Sequence, residues 1–151
     1  MEDIDLTSTA FRSGSSSPDR YTCVGEGGSP PLEWRKIPEG TRSLALILDD
    51  PDAPSGLFVH WVLYNLPPNM NGLPENYSPG DGVHSGRNSL GQTGYSGPCP
   101  PGGETHHYYF RLYALDKTLE LTSGATRAQV IDALQGHVLA ETELIGLYGR
   151  G

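Results

Sequence analysis

Basic residues are scarce in this 151-residue chain: 10 Lys and Arg stand against 18 Asp and Glu, a formal charge of −8. Nucleic-acid binding rests on neutralising phosphates with Lys and Arg, so the balance argues against it. It argues equally against electrostatic adsorption to an anionic membrane surface. No apolar run approaches the roughly 20 residues of a membrane span, which implies no stable membrane insertion. The opening, MEDIDL, has neither the basic region nor the apolar core of a secretory signal. The expectation is a soluble cytoplasmic protein. Cysteine is nearly absent: Cys23 and Cys99 fit no metal-ligand spacing. In a reducing compartment, free thiols are favoured over a disulfide between them.

What is present is organised around Ser43–Pro67, SLALILDDPDAPSGLFVHWVLYNLP. Two apolar runs, Leu44–Leu48 and Leu57–Leu66, flank a turn that holds Asp49, Asp50 and Asp52. Short all-apolar runs bounded by turn residues predict strands buried on both faces. A bare carboxylate is costly at the end of such a strand, so these acids either reach solvent or find donors. His60 is one donor within reach. Strict alternation along the second run places Phe58, His60, Val62 and Tyr64 on one face.

The length predicts a single domain over 1–151 that buries roughly two-thirds of its unfolded surface. Met1–Gly28 reads as irregular, Arg12–Pro18 as a loop, Tyr21–Val24 as a short strand and Pro30–Trp34 as an extended segment. Asn69–Gly97 is a long Gly-, Asn-, Pro- and Ser-rich stretch, of the kind that is functional or folded on itself. His106–Leu115 is the clearest strand, with His106, Tyr108, Phe110 and Leu112 on one face and His107, Tyr109, Arg111 and Tyr113 on the other. Leu119–Leu121 reads as another short strand. Thr126 and Gln129 form a capping box that opens a helix, with Val130, Leu134 and Val138 as its buried stripe and its end near Leu139. Glu141–Tyr148 fits a last strand or a continued helix. Strands dominate, which predicts a mainly β domain.

Three chemistries present themselves. A metal site from His60, His106, His107, Asp50, Asp52 and Cys99 is disfavoured, because adjacent histidines on a strand point to opposite faces. A serine nucleophile elbow at Gly94–Pro98 fails, because Pro98 stands where the motif needs glycine and a Pro/Gly loop follows in place of a helix. The third is a small anion site. Gly97 admits backbone donors, His106 and Tyr108 share a strand face, His60 approaches from the other strand, and Asp50 and Asp52 orient the histidines. Asp50 is expected to push those histidines toward the charged form.

DDPDAPSGLFVHWVLYNLP and GYSGPCPPGGETHHYYFRLYALD resemble the two signature regions of the phosphatidylethanolamine-binding protein family, also known as the Raf kinase inhibitor protein family. YTCVGEGGSPPLEW and GHVLAETELIGLYGR extend the likeness over nearly the whole chain, toward the short bacterial and archaeal branch. The resemblance implies an antiparallel β-sandwich-like fold with a few peripheral helices, one of them near the C-terminus. It also implies a pocket for phosphate or a phosphorylated head group, built by Asp50, His60, His106 and Tyr108, with Gly97 and Pro98 on its rim and Asp52 as a supporting acid. Family members are binders and inhibitors of kinases or proteases, so the resemblance implies a non-catalytic regulator without cofactor or metal. The chain lacks the extended C-terminal part of eukaryotic members, so kinase regulation does not transfer from them. The resemblance further implies a homodimer and a cis bond at Ala53–Pro54. The alternative class is a hydrolase with His60 or His106 as general base.

Overall fold

The computed structural model describes residues 4–11, 14–16, 28–53, 56–80, 82–98 and 105–149. Among these the strands are β1 (Asp5–Thr7), β2 (Ser15–Ser16), β3 (Leu32–Arg35), β4 (Ser43–Asp50), β5 (Phe58–Leu66), β6 (Gly72–Leu73), β7 (His84–Ser85), β8 (Thr105–Leu115) and β9 (Val138–Gly149), with helix α1 (Arg127–Leu134) between the last two. They form a three-stranded sheet, β1-β3-β6, and a six-stranded sheet, β2-β9-β8-β4-β5-β7. All pairings are antiparallel except the short parallel contact of β2 with β9. The mainly β sandwich expected from the sequence is the fold observed.

β4 is buried along its whole length, as its unbroken apolar run requires. One face, Leu44, Leu46 and Leu48, packs with Leu112, Phe110 and Tyr108 of β8 and with Ile4, Leu6, Leu32, Trp34 and Leu73 of the small sheet. The other, Ala45 and Ile47, packs with Val62, Tyr64, Leu115, Val130 and Leu134 beneath α1. Each fully buried leucine contributes about 1.5–3 kcal/mol relative to exposure. Trp34 anchors the small sheet, with its indole N–H donated to the Met70 carbonyl at 2.6 Å.

Several expectations need correction. The helix ends at Leu134, short of Leu139, because Gln135 leaves helical geometry and Gly136 takes φ +79°. Val138 therefore opens β9 and does not continue the helical stripe, and Glu141–Tyr148 is strand. The capping box is present, with Thr126 and Gln129 bonded reciprocally at 3.2 and 2.9 Å. Leu119–Leu121 is not a strand. The Asn65 side chain takes the Leu119 main chain instead, accepting from its N–H at 2.7 Å and donating to its carbonyl at 2.9 Å. Within the Arg12–Pro18 segment, Ser15–Ser16 is strand. Tyr21–Val24, both cysteines and Pro54, hence the cis bond at Ala53–Pro54, lie outside the described residues.

Among the described residues of the stretch 69–97 only β6 and β7 are regular. Residues 86–96 run along the outer margin of β5. Gly86 N–H donates to the Val62 carbonyl and Ser89 N–H to that of Val59, both at 2.8 Å, and Ser96 N–H donates to that of His60 at 2.9 Å. Val59 N–H returns a bond to Ser89 Oγ at 2.7 Å.

Candidate anion pocket

The site lies at one end of the large sheet, where β4 finishes and the antiparallel strands β5 and β8 begin. Alternation on β8 holds: His106, Tyr108, Phe110 and Leu112 face the small sheet, and Tyr113 and Leu115 face α1. Alternation on β5 does not. Leu48 pairs with Trp61, whereas the next residue, Asp49, pairs with Val59. His60 is the extra residue of a bulge, and bulges re-aim side chains. Val62 and Tyr64 point under α1. His60 instead turns to the opposite face, where its ring meets Tyr108 edge-on, centroids 5.4 Å apart, and Phe58 at 4.7 Å. The expected common face of Phe58, His60, Val62 and Tyr64 is thus split by the bulge. That split brings His60 to Tyr108.

Asp50 and His106 are both buried and joined, with His106 Nδ1 2.7 Å from Asp50 Oδ2. The other carboxylate oxygen accepts the Asp52 N–H at 2.8 Å. The His106 ring stacks beside Tyr108, centroids 6.3 Å apart. His60 Nδ1 lies 2.7 Å from the Ser96 carbonyl, which holds the ring in one orientation. Gly97, half-buried, and Pro98, buried, directly follow that carbonyl in the chain. Asp50, His60, His106 and Tyr108 are therefore brought together as the sequence suggested.

Asp52 is not part of that group through its side chain. Its Oδ2 accepts from both the main-chain N–H and the ring Nδ1 of His107, each at 2.8 Å, on the opposite face of β8. These bonds hold its carboxyl below the ordinary range. Asp52 reaches that group through the N–H it gives to Asp50 and through its charge, which acts on Tyr108. Asp49 also faces away. It is wholly buried and is clasped by Arg111, with Nε at 3.0 Å and Nη2 at 3.1 Å, while Arg127 Nε stands 3.5 Å away.

Burial pushes the His60 imidazole below its ordinary pKa. The Ser96 carbonyl, Asp50 and Asp49 pull it up without offsetting that, and His106 adds to the lowering. Asp50 does push His60 toward the charged form, as expected, but desolvation outweighs that push and the net shift favours the neutral ring. Burial, followed by the negative charges of Asp50 and Asp52, drives the Tyr108 phenol upward, so it remains a protonated donor. His60 Nε2 and Tyr108 Oη are buried and have no hydrogen-bond partner among the described residues. Buried polar atoms are nearly always satisfied, so the pair is unusual in a protein interior. Sequence reading put Phe58 on the face of His60, where the two rings meet, but missed the Ser96 main chain as the orienter of His60. No local signal carries that contact, since any residue supplies a carbonyl. Among the described residues no three His, Cys, Asp or Glu side chains are grouped for a metal ion. Among them, too, no helix is long and apolar enough to cross a membrane.

Comparison with known proteins places this geometry in context. A family profile described as phosphatidylethanolamine-binding protein matches residues 7–149. A UPF0098 protein of Methanothermobacter thermautotrophicus is 51% identical over 152 residues, spanning 98% of this chain and 100% of the relative. A crystal structure from Chlamydia trachomatis, described as a homolog of phosphatidylethanolamine-binding protein, superposes with a TM-score of 0.94 at 40% identity, covering 100% of both chains. Escherichia coli YbcL, described as a new member of the mammalian family, superposes with a TM-score of 0.91 at 31% identity, covering 99% of this chain and 100% of its own.

Proposed function

Given that the chain belongs to the phosphatidylethanolamine-binding protein family, we propose that it is a non-catalytic binding protein. Its pocket takes phosphate or a phosphorylated head group between His60, His106 and Tyr108. Asp50 holds His106 in place and Gly97 and Pro98 form the rim. The name carried by the family profile is that of a binding protein, not an enzyme. The observation that carries the reading is the pair of buried, unpartnered polar atoms, His60 Nε2 and Tyr108 Oη, beside the buried Asp50–His106 pair. With no Lys or Arg among these residues, the anion is held by neutral or histidine donors, which suits a reversible sensor in a regulator of a kinase or protease.

Calorimetric titration with inorganic phosphate tests this. His106→Ala removes a donor to a charged ligand, at a cost of about 1.5–3 kcal/mol, or roughly tenfold to a hundredfold in affinity. His107→Ala costs much less, because His107 faces Asp52 on the other side of β8. Equal losses in the two variants would show that the pocket is wrongly assigned. A second reading, a hydrolase with His60 or His106 as general base, rests on the same lone pair at His60 Nε2. Turnover of phosphate or carboxylate esters that disappears in His106→Ala would favour it.

A further inference from the structure

The donor pattern of the pocket says more than that an anion binds. A main-chain carbonyl only accepts, so the contact at 2.7 Å with Ser96 fixes the proton of a neutral His60 ring on Nδ1. Nε2 is then a bare lone pair, in a side chain only 5% exposed. It needs a donor from whatever enters. Tyr108, 2% exposed, presents the complementary group, a phenol O–H with nothing to donate to among the described residues. The two rings are direct neighbours, meeting edge to face with centroids 5.4 Å apart.

The charged and titratable groups that act on His60 are Asp49 and Asp50 from β4 and His106 from β8; Tyr108 stays protonated. Their sum with burial keeps the ring on the neutral side of its ordinary behaviour. A fully deprotonated oxyanion satisfies Tyr108 alone and sets its own lone pairs against His60 Nε2. An unmade bond at a buried acceptor is costly. A phosphoryl group that keeps one P–O–H satisfies both: its hydroxyl donates to His60 Nε2, and an adjacent oxygen accepts from Tyr108.

We propose, resting on the anion-pocket reading above, that this site selects a phosphoryl group that carries its own proton. Inorganic phosphate and singly ionised phosphomonoesters qualify. Sulfate does not, nor does the phosphodiester of an intact phospholipid head group, which has no acidic hydrogen left. The preferred ligand is therefore a free phosphate or monoester, not the head group of an undegraded lipid.

Equilibrium titration of the full chain with four probes tests this: inorganic phosphate, phosphoethanolamine, sulfate and glycerophosphocholine. The last is a diester whose quaternary ammonium has no N–H to substitute for the missing hydroxyl. At neutral pH, phosphate is expected to bind at least tenfold more tightly than sulfate or glycerophosphocholine. Phosphomonoesters lose their last proton near pH 6, so phosphoethanolamine should weaken by roughly tenfold per unit above about 6. Inorganic phosphate, which keeps one proton through the neutral range, should hold its affinity. His60→Asn retains an amide N–H for the Ser96 carbonyl but, being shorter, has no acceptor at the position of Nε2, and should lower phosphate to the level of sulfate. The wild-type panel decides the matter even if that variant folds poorly. Sulfate or glycerophosphocholine binding as tightly as phosphate would overturn the proton-selective reading and leave the anion pocket standing. Binding by none of the four would overturn the pocket itself.

Discussion

Replacing Asp50 by alanine leaves the buried His106 Nδ1–H and the N–H of the exposed Asp52 without their acceptor. Side-chain exposure is 4% on both sides of the Asp50–His106 pair, so water does not compensate. Breaking a buried pair by removing one partner costs about 3–5 kcal/mol. For a domain of this size each kcal/mol lowers Tm by about 2–4 °C, which gives roughly 6–20 °C for Asp50→Ala. Asp50→Asn is milder. Its amide oxygen still accepts from Asp52, and only the charge-assisted bond to His106 is lost, at about 1.5–3 kcal/mol. The amide NH2 then faces His106 Nδ1, which must accept, so the ring keeps a proton only on Nε2. Urea unfolding at neutral pH should rank wild type above Asp50→Asn above Asp50→Ala, with unchanged slopes. Ring 15N shifts should report the tautomer change in Asp50→Asn. An Asp50→Ala midpoint equivalent to a loss of less than about 0.5 kcal/mol, the range of inert surface substitutions, would refute the argument.

The lowered pKa of His60 has a definite sign for stability. The unfolded chain takes up that proton first, near pH 6.5, so the neutral ring stabilises the fold fully above about 6.5 and progressively less as pH falls toward the folded value. Ring titration by NMR should give a midpoint below 6.5 for His60, and a midpoint at or above it would contradict the desolvation argument. Asn65 combines φ +59° with two side-chain bonds to the Leu119 main chain. Asn65→Gly should lose about 1–3 kcal/mol from those bonds, and Asn65→Ala about 1 kcal/mol more from the left-handed backbone. Denaturant unfolding that ranks glycine below alanine would reverse that account.

How far the fold and site were legible depended on whether the deciding contact was local. β4 and β8 declared themselves because an unbroken apolar run and a clean alternation leave few alternatives. The helix start was legible because both halves of the capping box lie within four residues. Its end was not, because Val138 fits a helical stripe as well as a strand, and the left-handed turn at Gly136 decides. The bulge at His60 is set by pairing with β4, so the residues around His60 do not announce which way its ring points. Leu119–Leu121 lost its strand to a side chain 54 residues away. The separate fates of Asp49, Asp50 and Asp52 followed from which face of β8 each met: Arg111 for Asp49, His106 for Asp50 and His107 for Asp52. That Asp50 orients a pocket histidine was foreseen from the residues themselves; that Asp52 takes His107 on the other face, and Asp49 takes Arg111, was not.

The seam of bonds that fastens residues 86–96 to β5 bears on aggregation. An apolar strand with an open margin is a template on which another chain can add a strand. β7 covers only Leu63 and Tyr64 of that margin. The carbonyls of Val59, His60 and Val62 are occupied instead by Gly86, Ser89 and Ser96, from a segment with little regular structure of its own. Shortening this segment, a usual route to a more compact and heat-resistant protein, would here strip the cover from a β5 margin that includes Trp61 and Val62. The shortened chain would gain nothing in solution from its tidier loop, and it would expose a surface suited to intermolecular β-pairing.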